Sequence, residues 1–221
     1  MRQIENLSIY AQVFACKTVF RKGESMSHYF SNNTKTKSNQ FIIEYTFKDV
    51  SYKFISDHGV FSKNHIDYAT DLLLNHVLIN PSEKVLDLGC GYGVIGIILS
   101  KHHKAHVTMV DVNDRAIHLA KTNAMNHHVD AEIFHSDGFN LVNQTYHHIV
   151  SNPPIRIGKQ AMYQLFLDAK KHLVEEGSLW LVMHKKHGAQ SAMDFLKHHY
   201  HVNLVEKQKG FHIIQCIKRI D

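Results

Sequence analysis

The strongest constraint on what this chain can fold into is an alternation that begins at Lys84. "KVLDLG" (84–89) is a buried-strand run, residues 92–102 carry apolar positions at helical spacing, "HVTMVDV" (106–112) is a strand again, and 114–126 a helix again. The order continues through strands "AEIFHSD" (131–137) and "HHIVSN" (147–152), a helix over 160–173, the strand "GSLWLVMH" (177–184) and a helix over 189–199. Strands joined by helices of this length run parallel, with helices on both faces of the sheet. "HVNLVEKQ" and "GFHIIQCIKRI" meet around Gly210 through a turn too short for a crossover, so that pair is antiparallel. The expectation is an α/β fold, a doubly wound seven-stranded sheet whose last strand runs against the others.

Upstream, "FIIEYTF" (41–47) and "VSYKFIS" (50–56) are aromatic and β-branched runs split by "KD", which predicts a β-hairpin. Helical spacing from Ile66 to Ile79 predicts a helix closed by Pro81. The domain reading is a hairpin segment over 26–58 and a main domain over 59–221. Residues 1–25 fit neither. "RKGES" before Met26 is what a purine-rich ribosome-binding site would encode, so Met26 is expected to be the natural start and 1–25 a non-native leader. The alternative is a docking helix on which Ile9, Val13 and Phe20 share a face.

The N-terminus has Glu5 and Asn6 where a secretory signal wants basic residues and no small-residue cleavage site, and no run approaches the roughly 18 apolar residues of a membrane span. Three scattered cysteines, Cys16, Cys90 and Cys216, support neither a disulfide framework nor a thiolate metal site. The chain is therefore read as cytoplasmic. Eight of its 20 histidines fall in four doublets rather than at metal-ligand spacing, and the set is expected to be solvated surface positions with no metal, a metal site being the lesser alternative. Charge is uneven: 11 basic against 6 acidic residues over 151–221, but 6 against 9 over 61–150. An acidic middle and basic end suit a small cofactor in the first part and a polyanion at the second, although ordinary surface scatter gives the same counts.

"VLDLGCGYGVIG" (85–96) places Gly89, Gly91, Gly93 and Gly96 directly after a strand. From Gly91 it matches the dinucleotide pattern G-x-G-x-x-G; from Gly89 it is D-x-G-x-G-x-G, with Asp87 at the strand end. A pyrophosphate is repelled by an anion in that place, whereas a cationic amino-acid end is attracted. Asp111, at the next strand end and about 20 residues on, suits the ribose hydroxyls of a nucleoside cofactor. "HSDGF" adds Asp137, which could accept from an adenine amine while Phe139 packs on the ring. Taken alone, Asp137 is a turn residue before Gly138.

"VSNPPIRIGK" (150–159) ends an apolar strand on Asn152 and follows it with two of the three prolines in the chain, Pro153 and Pro154. Two prolines remove two donors and fix two φ angles, leaving carbonyl oxygens beside an amide side chain at the same sheet edge. Such an elbow receives an NH2 group. An aromatic or amide amine has a delocalised lone pair, and two acceptors off its plane hold it more tetrahedral, aimed at an electrophile.

On these motifs, with "GVFSKNHID" (59–67) and "VDVNDRAI" (110–117), the chain resembles class I S-adenosylmethionine-dependent methyltransferases of the amino-methylating kind. It most resembles the bacterial small-subunit ribosomal RNA guanine-N2 methyltransferases, in a short single-domain form. The resemblance runs from about Met26 to the C-terminus. It implies a Rossmann-like sheet, S-adenosylmethionine held by Asp87, the glycine loop and Asp111, adenine beside Asp137, and a catalytic loop led by Asn152. Phe61, Ser62 and Lys63 would line the cofactor or substrate mouth, and the partner would be 16S ribosomal RNA or the small subunit. Ile155 stands where enzymes acting on adenine or glutamine usually carry an aromatic residue, which leaves the base-stacking partner unnamed. Grip on RNA phosphates would come from Arg156, Lys159, Lys185, Lys186, Lys35 and Lys37. Rival readings are methylation of adenine or a protein glutamine, a dinucleotide oxidoreductase resting on "GYGVIG", and a non-catalytic RNA-binding or ribosome-assembly factor.

Overall fold

The computed structural model describes residues 38–60, 65–154 and 157–220. Residues 1–25, Met26, Lys35, Lys37, Phe61, Ser62, Lys63, Ile155 and Arg156 therefore lie outside the described residues. A hairpin of β1 (Gln40–Phe47) and β2 (Val50–Asp57) precedes helix α1 (Tyr68–His76). There follow β3 (Lys84–Leu88), α2 (Val94–His103), β4 (His106–Asp111), α3 (Asp114–Asn126), β5 (Ala131–His135) and β6 (Tyr146–Ser151). The chain continues through α4 (Lys159–Lys171), β7 (Leu173–His184), a 3-10 turn (Lys185–His187), α5 (Ala189–Leu196), β8 (Tyr200–Gln208) and β9 (Phe211–Lys218).

The main sheet has seven strands in the order β5-β4-β3-β6-β7-β9-β8. β3 pairs in parallel with β4 and β6, and β7 in parallel with β6, while β9 runs antiparallel to both β7 and β8. The doubly wound sheet with one opposed final strand is thus as the alternation requires. Its faces hold separate apolar cores. On one, α1, α2 and α3 pack with the hairpin residues Ile43, Phe47, Tyr52 and Phe54, so the hairpin shares that core rather than building its own. On the other, α4 and α5 pack through Met162, Phe166, Ala192 and Leu196. Asn123 of α3 locks the hairpin: its Oδ1 accepts from the Ile55 amide at 2.8 Å and its Nδ2 donates to the Ile55 carbonyl at 2.9 Å.

Two boundaries differ from expectation for physical reasons. The first helix ends at His76, because Val77 and Ile79 are buried and Leu78 exposed, a period of two that keeps the same apolar residues inside on an extended chain. β7 begins at Leu173 rather than 177, because Leu173 pairs with Tyr146 before a register shift. Gly177 permits that irregularity, since a Cβ there would lie 2.9 Å from the Val174 carbonyl oxygen.

Some histidines depart from the expected solvated surface set, while others, such as His65, His118 and His198, are exposed. His148 is largely buried, with Nδ1 at 2.8 Å from Ser178 Oγ and Nε2 at 2.9 Å from Glu83 Oε2. His127 Nε2 donates to the Lys53 carbonyl at 3.0 Å beneath the Tyr52 and Phe54 rings, and His147 Nδ1 accepts from the Lys84 amide. An imidazole pairs a flat apolar body with two polar tips, so a fold with many histidines can use them as interior hydrogen-bonding wedges. Among the described residues no group of three or more potential ligands is placed to hold a metal, and no helix is long and apolar enough to cross a membrane.

Candidate functional site

The chain leaves β3 toward β4 on one side and returns to place β6 on the other, so β3 and β6 flank the point where strand order reverses. Loops after two such strands diverge and leave a crevice at their carboxyl ends. Here the crevice is a cavity of about 830 Å³. The glycine loop follows β3 and the Asn-Pro-Pro segment follows β6, so both motifs reach one cavity. Ser151 ties the two strand ends together, donating from Oγ to the Leu88 carbonyl at 2.8 Å.

One wall is made of backbone. Gly89 and Gly91 have φ of +76° and +56°, and a Cβ on either would enter open space. The loop is held by amides of Gly89 and Cys90, each donating to the Val110 carbonyl at 2.9 Å. Asp111 lines the cavity and is fixed by two amides, Gly91 to Oδ2 at 2.8 Å and Asn113 to Oδ1 at 2.9 Å. Burial raises its pKa above the ordinary carboxylate value, against the pull of those N–H groups. Asp137 also lines the cavity, on a turn built by Ser136 Oγ donating to the Gly138 carbonyl.

Asp87 stands behind this wall rather than in it. It is wholly buried, its Oδ2 accepts from the Gly96 amide at 2.8 Å, and its Oδ1 has no hydrogen-bond partner among the described residues. Burial pushes its pKa up to about 7, with the nearby Asp111 charge adding and the Gly96 N–H opposing. An orphaned carboxylate oxygen under a glycine loop is a standing demand for positive charge nearby. Gly93, with φ of +93°, also lies outside the lining; it caps α2 where a Cβ would press on Ala120 at 3.3 Å.

The opposite wall is made of side chains from distant parts of the chain. Asn152, Pro153 and Pro154 line it, as do Asp67 and Thr70 of the α1 entry. Asn152 Nδ2 donates to Asp67 Oδ2 and to Thr70 Oγ1, each at 3.1 Å. A carboxylate oxygen accepts, so the amide turns its NH2 toward Asp67, and its two N–H bonds go to Asp67 and Thr70. Of the elbow carbonyls, that of Pro154 accepts from the Ile157 amide at 3.4 Å, closing the turn.

Sequence reasoning missed the far end of the cavity, formed by Val182, His184, His187 and Phe211. Nothing local marks these residues; antiparallel register alone puts His184 opposite Phe211, with ring centroids 4.7 Å apart. Asp67 sat inside the "GVFSKNHID" motif without a role. Phe139 is corrected: it does not line the cavity, and its ring stacks on His172 at 4.7 Å as part of the second core. Lys159, Lys185 and Lys186 are exposed, and Lys159 Nζ lies 5.4 Å from the Tyr163 ring.

The arrangement invites comparison with known proteins. Ribosomal RNA small subunit methyltransferase C of Mannheimia succiniciproducens is 40% identical over 129 residues, covering 56% of this chain and 39% of that protein. The protein of the same name from Psychromonas ingrahamii is 30% identical over 166 residues, covering 73% of this chain and 47% of its own. This chain thus spans less than half the length of those two relatives. An uncharacterized protein of Bacillus subtilis, YbxB, is 39% identical over 197 residues and is matched over 98% of its length. Among solved structures, the Thermus thermophilus 16S rRNA N2 G1207 methyltransferase (RsmC), in complex with AdoMet and guanosine, superposes with a TM-score of 0.74 at 21% identity. That match covers 83% of this chain and 51% of the other. The profile of the family described as "Methyltransferase small domain" matches residues 51–215, and the chain belongs to that family.

Proposed function

We propose that the protein transfers a methyl group from S-adenosylmethionine to the exocyclic N2 amine of a guanine in 16S ribosomal RNA. The residues fit the cofactor. The orphaned Oδ1 of Asp87 favours a cation in the adjoining cavity, the glycine loop leaves open space, and Asp111 and Asp137 offer carboxylates at successive strand ends. When bound, S-adenosylmethionine supplies an electrophilic methyl group on a sulfonium.

The observation that carries the reading is the Asn152 amide. Its donors are engaged by Asp67 and Thr70, so what it has left for a substrate is the Oδ1 acceptor. An acceptor in a cavity wall selects an N–H donor, and the adjoining Pro153, which also lines the cavity, brings a backbone carbonyl as a second acceptor in this reading. Together they hold an amine with its lone pair directed inward, and a preorganised pair of oxygens stabilises positive charge developing on nitrogen. The nitrogen gains one carbon and releases one proton, which passes to water, so no strong base is required. The exposed Lys185 and Lys186, between the cavity-lining His184 and His187, and the exposed Lys159 serve phosphates of the RNA.

The relatives named for the ribosomal RNA small subunit favour this substrate. The test is nucleoside analysis of small-subunit RNA after incubation with the protein and labelled cofactor. N2-methylguanosine is expected; label in N6-methyladenosine or in a protein glutamine, with none in guanosine, overturns the substrate.

A further inference from the structure

The entry to α1 contains a carboxylate in the wrong place for its local task. Asp67 is the N-cap residue of α1, with extended φ and ψ of −60° and 135°, yet its side chain makes no capping hydrogen bond. An N-cap aspartate ordinarily accepts from an amide two or three residues on, and forgoing that bond leaves helix donors without their usual partner. Asp67 instead reaches Asn152, 85 residues away in the chain. One turn on, Thr70 does the same. Helical threonines commonly bond back to their own preceding turn, but here Oγ1 accepts from Asn152 across 82 residues. Thr70 is buried, and both residues face the cavity.

We infer that Asp67 and Thr70 are positioning residues for methyl transfer, holding the Asn152 amide so that Oδ1 alone faces the substrate amine. Two acceptors grip both N–H bonds of one amide, which removes rotation about its last torsion and excludes the flipped orientation. The flipped form would present NH2 to an NH2 and could not hold it. The Asp67 charge also polarises the amide, drawing density toward Oδ1, as neighbouring hydrogen bonds in a chain strengthen one another. α1 is itself anchored against movement: Tyr45 of β1 donates to Asp71 at 2.5 Å, and Tyr68 donates to Gln208 of β8 at 2.6 Å. The grip on Asn152 thus transmits the rigidity of the hairpin and of the last strands to the substrate wall.

This inference rests on Asn152 being the amine acceptor, and the test separates the two claims. Single-turnover methyl transfer and S-adenosylhomocysteine affinity are measured for Asp67→Ala, Asp67→Asn, Thr70→Val, Asn152→Ala and the Asp67→Ala/Asn152→Ala pair. Asp67→Ala and Thr70→Val are expected to slow transfer by about 10–100-fold, the scale of a small misplacement of a reacting group, with ligand affinity changed less than about twofold. Asp67→Asn keeps a carbonyl acceptor and recovers part of the rate. The double variant is no slower than Asn152→Ala alone, because residues acting as one unit are not additive. Thr70→Val preserves shape and carries the test where Asp67→Ala does not fold. Wild-type rate in both Asp67→Ala and Thr70→Val with an inactive Asn152→Ala overturns the inference and leaves the role of Asn152 standing. Multiplied losses in the double variant, or ligand affinity lost along with rate, overturn it too. Wild-type rate in Asn152→Ala removes the premise itself.

Discussion

The two walls of the cavity are built by opposite means. The glycine wall is local: residues 89–96 and the strand ends at Asp111 and Ser136 are held by backbone amides and carbonyls a few residues or one strand away. The Asn-Pro-Pro wall is assembled from α1, β6, β7 and β9, and its central side chain depends on partners more than 80 residues distant. The lesson is that binding a nucleoside cofactor asks for a backbone shape, which a short stretch can specify. Orienting a reactive amine asks for defined side-chain hydrogen bonds, and those come from whatever the fold brings near.

If the contrast holds, damage to the distant wall strikes turnover and damage to the local wall strikes binding and folding. The largest effect is expected at Asn152→Ala: at least about 100-fold lower turnover with S-adenosylhomocysteine affinity retained, read by methyl incorporation and calorimetry. Near wild-type turnover would break the comparison outright. Next comes Gly93→Ala, where φ of +93° strains any residue with a side chain and a Cβ would press on the Ala120 backbone at 3.3 Å. A loss of about 1–3 kcal/mol is expected, seen as a lower thermal midpoint.

Asp87→Asn sharpens the local side. A carboxyl whose folded pKa is raised from 3.8 to about 7 contributes stability that is present below pH 4 and lost as pH rises through 7. The ligand-free wild-type protein should therefore fall behind Asp87→Asn in melting temperature as pH goes from 5 to 8. Parallel curves would show that burial does not hold the proton there. The smallest effect is expected at Lys186→Ala, an exposed side chain. RNA affinity should fall a few-fold and the slope of log affinity against log salt should flatten by about one, with cofactor binding unchanged.

Several features were legible because their signal is short in range. The alternation from Lys84 announced the sheet, and the two-residue turn at Lys48 and Asp49 announced the hairpin, whose residues both have positive φ. Asp111 and Asp137 both line the cavity, as residues at or just past the ends of parallel strands over one edge of the sheet do. Phe139 lies elsewhere because a ring four residues beyond the end of β5 has two faces of the sheet open to it, and it stacks on His172. His148 and His127 misled because a polar residue reads as free in solvent until an acceptor such as Glu83 or the Lys53 carbonyl is known to face it.

By itself, then, the sequence determined the order of strands and helices along the chain and the glycine loop, since periodicity and backbone conformation are encoded within a turn or a strand. Only the tertiary structure decided which way the Asn152 amide faces, that Asp67 abandons its cap to hold it, and that His184 and Phe211 close the far end. A side-chain hydrogen bond has no period in sequence: its partner is chosen by distance in space, and that exists only once the helices have packed on the sheet.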